Sequence, residues 1–127
     1  MKKLLTLLFS ILISLNSYGE WTYVSSNITK DDYYVDFDKI TKQGNSIYFW
    51  YLTDHPKLDK FGDFSDIAKT EVNCIRSGYR WLSIIYYSAP MAKGKVNSTD
   101  SDISEWKYPP PSSVMDDVIE SVCDYSE

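Results

Sequence analysis

Histidine occurs once in this chain, at position 55, and cysteine only twice, at positions 74 and 123. A structural zinc centre takes about four nitrogen or sulfur ligands, which this inventory cannot supply. There is no G-x-S-x-G elbow and no glycine-rich phosphate loop, so neither a hydrolase serine nor a nucleotide cofactor is expected. His55 itself lies between Asp54 and Pro56 in a charged stretch and reads as a solvated loop histidine, not a catalytic one. Asp59, Asp63 and Asp66 are close in sequence, but their spacing fits no EF-hand and reads as a solvated acidic loop. No catalytic residue, metal ligand or cofactor site is therefore assigned.

Basic residues are also scarce, 13 against 18 acidic ones. Long apolar runs are absent except at 4–15, which is short of the roughly 20 residues that span a bilayer. Lys2 and Lys3 precede that run, and Ser17-Tyr18-Gly19 follows it with small residues where signal peptidase needs them. Residues 1–19 are read as a signal peptide and 20–127 as one domain, exported to the periplasm or secreted. No cysteine follows the apolar run, so a lipoprotein is not expected. Beyond residue 19 the chain keeps 11 basic and all 18 acidic residues, a net charge of −7. That balance argues against nucleic acid or an anionic membrane as partner.

What is abundant is aromatic: 16% of residues are Phe, Trp or Tyr. Most fall in stretches with strand character, at 21–26, 33–35, 46–53, 67–75 and 79–87. The 46–53 run, SIYFWYLT, is apolar on both faces and reads as a central strand. Residues 71–88 read as a hairpin turning at Ser77-Gly78, with Arg76 opposite Tyr79 and Cys74 opposite Trp81. Strict alternation then puts Val72, Cys74, Trp81, Ser83, Ile85 and Tyr87 on one face. Tyr48, Trp50, Leu82, Ile84 and Tyr86 share the other. Met91–Val96 adds a short strand, and 97–105 reads as a polar, mobile loop.

Three prolines at 109–111 lead into the one convincing helix, capped by Ser113 with Asp116. Its stripe is Val114, Val118, Ile119 and Val122, and Cys123 lies in the last turn. Two cysteines allow one pairing, so Cys74 and Cys123 are expected to form a disulfide that brings this stripe onto the Cys74/Trp81 face. The fold class is α+β: an antiparallel meander with one C-terminal helix packed on a face and tied by that disulfide. One helix covers one side only, and a patch of Tyr48, Trp50, Leu82, Ile84 and Tyr86 is then a candidate interaction face, with a homodimer as one way to bury it.

Several short stretches, in order, carry a family resemblance. They are Trp21, Tyr34-Val35-Asp36 with Ile40, Trp50-Tyr51-Leu52, Glu71-Val72-Asn73-Cys74, Tyr86-Tyr87-Ser88 with Met91, Gly94-Lys95-Val96, Trp106, Pro111-Ser112-Ser113 and Val122-Cys123. Together they make the chain similar to the surface-adhesin protein E family of bacterial envelope proteins. The resemblance implies an antiparallel sheet whose C-terminal helix is tied back by the disulfide, often as a dimer. It implies an adhesin-like binding module with a protein partner, host matrix or serum proteins being the class, and no enzymatic activity. The alternative is a small periplasmic enzyme or enzyme inhibitor, motivated by the cleavable signal and the charged 54–66 stretch.

Overall fold

The computed structural model describes residues 20–57 and 62–126. The expected signal peptide, 1–19, and Asp59 lie outside the described residues. Seven antiparallel strands form one sheet: β1 Thr22–Ser26, β2 Asp32–Val35, β3 Thr41–Gln43, β4 Ser46–Asp54, β5 Ser65–Asn73, β6 Gly78–Ala89 and β7 Lys93–Asp100. Their order is β1-β2-β4-β5-β6-β7, and β3 pairs with β4 beyond the end of β2. The apolar run at 46–53 is indeed interior, since β2 and β3 share one of its edges and β5 takes the other. Between β2 and β3, Asp36 caps a 3-10 turn over Phe37–Lys39 by accepting from the Asp38 N–H. One α-helix among the described residues, α1 Val114–Tyr125, follows. Among the described residues no helix is long and apolar enough to cross a membrane.

The core lies between α1 and one sheet face. Val118, Ile119 and Val122 pack on Val35, Ile47, Phe49, Tyr51, Ala68, Val72 and Tyr79. Ser113 caps the helix by accepting from the Asp116 N–H, while the Asp116 carboxylate reaches back to the Ser112 N–H. Cys74 and Cys123 are joined by a disulfide with their Cα atoms 5.9 Å apart, so the helix C-terminus is tied to the end of β5.

The hairpin between β5 and β6 turns earlier and wider than the sequence reading has it. Asn73 pairs with Gly78, and Thr70, not Cys74, lies opposite Trp81. The Asn73 side chain accepts from the N–H groups of Ile75 and Arg76, which stabilises the four-residue loop 74–77. Ser77 takes the left-handed conformation there, at φ 55°. The register slips by an even number of residues, so the faces are unchanged up to Trp81.

Beyond Trp81 they are not. Lys69 pairs with Ser83 and Thr70 with Trp81, which leaves Leu82 as an extra residue in a β-bulge. A one-residue insertion reverses every later side chain. Ile84 and Tyr86 therefore pair with Ala68 and Asp66 on the helix side, and Ser83, Ile85 and Tyr87 face outward. The expected common face of Tyr48, Trp50, Leu82, Ile84 and Tyr86 is thus divided. Residues 97–100, expected in a mobile loop, extend β7 instead.

If the disulfide anchors α1, Cys123→Ser should lower the urea midpoint by an amount equivalent to about 2–4 kcal/mol, as expected for closing a loop of 49 residues. An unchanged midpoint would mean that packing alone holds the helix.

Candidate functional site

Because α1 contacts β1, β2 and β4, the helix side of the sheet stays open over the other ends of β4, β5 and β6. A depression of about 360 Å³ results, walled by Tyr33, Tyr51, His55, Trp81, Tyr86 and Met115 among others. Alternation brings Tyr51 and Thr53 of β4 to this face, and the bulge brings Ile84 and Tyr86 of β6. The Tyr33 and Tyr51 rings stack at 6.1 Å, and Tyr79 meets Trp81 edge-on at 6.0 Å. Trp81 Nε1 donates to the Tyr51 hydroxyl at 2.7 Å. Burial pushes the Tyr51 phenol well above its ordinary range despite that hydrogen bond, and raises Tyr33 and Tyr79 as well. These rings are neutral aromatic surface at any physiological pH.

A second depression, of about 490 Å³, adjoins the first and shares Tyr79 and Met115 with it. Lys107, Tyr108, Pro109 and Pro110 line its far side, with Asn27 closing it. The prolines hold this lead-in extended. It also pairs with β6: Tyr79 and Lys107 exchange backbone hydrogen bonds of 2.9 and 2.7 Å. Gly78 lets the Tyr108 ring lie close at this junction, since a Cβ there would come within 2.6 Å of it and displace it.

His55 is not the solvated loop residue expected. Its Nδ1 lies 3.0 Å from Asp31 Oδ1 and its Nε2 3.2 Å from Asp66 Oδ2, with the ring largely buried. Burial works to lower its pKa, but the Asp31 hydrogen bond and the Asp66 charge outweigh it and raise the value above 6.5. Asp31 is presented by a tightly organised turn. Asn27 Oδ1 accepts from the N–H groups of Thr29 and Asp31, and Asn27 Nδ2 donates to Asp31 Oδ2. Burial opposes ionisation of Asp31, yet the bonds from Asn27, His55 and Thr29 carry its pKa below 3.8. Of the acidic trio considered for calcium, Asp63 instead accepts from Asn97 Nδ2 at 2.8 Å, and Asp66 faces His55.

The outer face is organised differently. Glu71 accepts from Ser46, Tyr48 and Arg80, and Arg80 in turn lies 4.7 Å from the Trp106 ring centre. Burial opposes ionisation of Glu71 too, but these donors pull its pKa down. Tyr48 and Trp50 remain on this face, half-buried, while the backbone N–H groups of Met91 and Ala92 bond to Asp54 and Ser65 and close its other end. Of the five residues expected to act together, then, Tyr48 and Trp50 lie outward, Ile84 and Tyr86 line the depression, and Leu82 occupies the bulge. Sequence reasoning missed Tyr33, Tyr51, Tyr79 and Met115 as a group, because nothing local marks the bulge.

Removing the Tyr51 hydroxyl tests how far the aromatic wall is held by polar contacts. Tyr51→Phe should cost about 1–2 kcal/mol in urea unfolding by orphaning the Trp81 indole N–H. In a Trp81→Phe background the same change should cost less; equal costs in both would mean that the bond carries nothing.

Comparison with known proteins gives one consistent answer. No curated protein is significantly similar in sequence. The fold is similar to that of Haemophilus influenzae protein E in crystal form II, at a TM-score of 0.66 and 13% identity, covering 88% of this chain and 94% of that one. A second structure of H. influenzae protein E gives 0.63 at 11% identity, covering 86% and 87%. Protein E from non-typeable H. influenzae gives 0.63 at 12%, covering 86% and 78%. At such identities the likeness establishes the fold. The family described as surface-adhesin protein E matches residues 21–124. That match takes in nearly all of the domain: the chain belongs to the surface-adhesin protein E family and is a surface-adhesin-like binding module.

Proposed function

We propose that this protein is a non-enzymatic, exported module, periplasmic or secreted without a lipid anchor, that binds an extended segment of another protein. The observation that carries this reading is the pair of adjoining depressions on the helix side, joined at Tyr79 and Met115. Rigid aromatic surface of this kind concentrates binding energy because ordering it costs little entropy. Adhesin family membership supports a host matrix or serum protein as the source of the segment. The enzyme or inhibitor reading has less behind it in the charged 54–66 stretch, where His55 and Asp66 are engaged with each other.

Protein recovered from the periplasm or medium should begin at Glu20 by intact mass and bind immobilised matrix or serum proteins. Met115→Glu, which places a carboxylate favourably in the first helical turn but inside the groove, should weaken binding at least about tenfold without lowering the melting temperature. Equal loss on Trp50→Glu would move the site to the outer face. Turnover of hydrolase substrates that His55→Ala abolishes would replace binding by catalysis.

Self-association draws on the outer face alone, where Tyr48, Trp50, Ile67, Ile85 and Tyr87 are half-buried in the single chain. Sedimentation equilibrium at micromolar concentration should give a dimer mass that Trp50→Glu collapses. A monomer mass at every concentration removes the pairing.

A further inference from the structure

We propose that His55 is a pH-sensitive clasp: as an imidazolium it ties the turn at residues 27–31 to β5, and on losing a proton it lets that turn go. Both ring nitrogens lie within hydrogen-bond distance of a carboxylate oxygen, at 3.0 and 3.2 Å. A carboxylate only accepts, and a neutral imidazole donates from one nitrogen only. The second contact would then set a nitrogen lone pair against an oxygen lone pair. Only the doubly protonated ring satisfies both.

The two ends of the clasp differ in rigidity. His55 is held on the sheet, where its N–H donates to Phe64 O at 2.9 Å and Asp66 belongs to β5. Asp31 belongs to a turn whose internal bonds run to Asn27 and to the Thr29 hydroxyl, not to a neighbouring strand. Deprotonation therefore frees the turn before it disturbs the strands. Three of the phenols around the ring are held neutral by burial. Tyr33 of β2, Tyr51 of β4 and Tyr79 of β6 are all raised above the ordinary phenol value, Tyr86 of β6 is a fourth phenol, and α1 contributes the uncharged Met115. Of the charged neighbours, Lys30 and Asp32 flank Asp31, Asp54 and Lys57 lie beside His55 in the chain, and Lys107 sits 4.9 Å above the Trp81 ring centre. Asp66 and Tyr86 have further interactions of their own, and the clasp requires only that Asp66 Oδ2 accept from the ring.

The direction of the pH dependence follows from the two shifts. The folded pKa of His55 lies above its unfolded value of about 6.5, so its contribution is complete below that pH and is lost as pH rises through the folded value. The folded pKa of Asp31 lies below 3.8, so its contribution persists above that pH and disappears as pH falls through the lower value. The clasp is closed in mildly acidic surroundings and opens on the alkaline side. Asn27 and Tyr33 line the two depressions, so opening changes the walls of the groove whatever occupies it.

His55 is the only histidine, so its ring can be followed without ambiguity in tag-free protein. Long-range ¹H–¹⁵N spectra should show both ring nitrogens protonated at low pH, with a midpoint above about 6.5 that Asp31→Asn lowers. Amide exchange supplies the second readout. Across that midpoint the opening constant for the amides of Thr29, Lys30 and Asp31 should rise tenfold for each unit separating the closed and open midpoints, while β5 amides stay constant. A midpoint at or below about 6.5 in the unmutated protein overturns the proposal. So does turn protection that stays level while the ring titrates. Both readouts use the protein alone, so their failure is separable from failure of the binding reading.

Discussion

One helix has to cover a sheet that outgrows it, and most of the molecule follows from that mismatch. Twelve residues of α1 span about 18 Å, whereas the twelve residues of β6 extend about 40 Å. The disulfide decides which part is covered, because it fixes the helix C-terminus at the β5–β6 turn. The core therefore gathers under Val118, Ile119 and Val122, around Phe49 and Val72. The far ends of β4, β5 and β6 keep an apolar face with no helix above it. That remainder is the groove. Its existence comes from a shortage of cover, and its aromatic character from strands that would be core in a larger domain.

Much of this is legible from residues. The unbroken apolar run in SIYFWYLT marks a strand covered on both faces, and Leu52 and Phe49, on opposite sides of β4, are fully buried. The helix stripe and the pairing of Cys74 with Cys123 are equally plain. What is not legible is Leu82. Nothing in GYRWLSIIYYSA distinguishes a regular strand from one with an extra residue, because both satisfy the same local propensities. The choice is made by packing across the strand: the bulge turns Ile84 and Tyr86 toward the core side, where Ala68 leaves room opposite Ile84. β3 escaped notice for a related reason. Thr41–Gln43 is polar and exposed and becomes a strand only because β4 offers an edge beyond Val35. His55 reads as solvated from the sequence because its partner Asp31 is 24 residues away and reaches it only through the sheet.

The outer face and the sheet edge show how the fold manages exposure. β7 is exposed along its whole length and carries Lys93 and Lys95 at the free edge, where charge disfavours pairing with another strand. The first half of β6 is protected instead by the segment that bonds to Tyr79 through Lys107. On the outer face the turn Pro90–Ala92 reaches over Asp54 and Ser65. At the other end Glu71 collects Ser46, Tyr48 and Arg80. The part left between them is narrower than five collinear apolar residues would have made it.

An acidic chain must place its carboxylates with care, and the two faces do so by different means. On the outer face Glu71 is held by a guanidinium, which keeps its charge at any pH the protein meets. That cluster is a permanent fixture. On the helix side the corresponding cation is an imidazolium between Asp31 and Asp66, whose charge depends on the surroundings. Arginine in its place would bind both carboxylates regardless of pH, and the turn would be fixed as firmly as the strands. A histidine makes the attachment conditional, and it does so at the rim of the groove, where a change in the turn reaches Asn27 and Tyr33 together. The protein is therefore rigid where its core needs it, around the disulfide and Glu71, and adjustable at the end that the helix leaves uncovered.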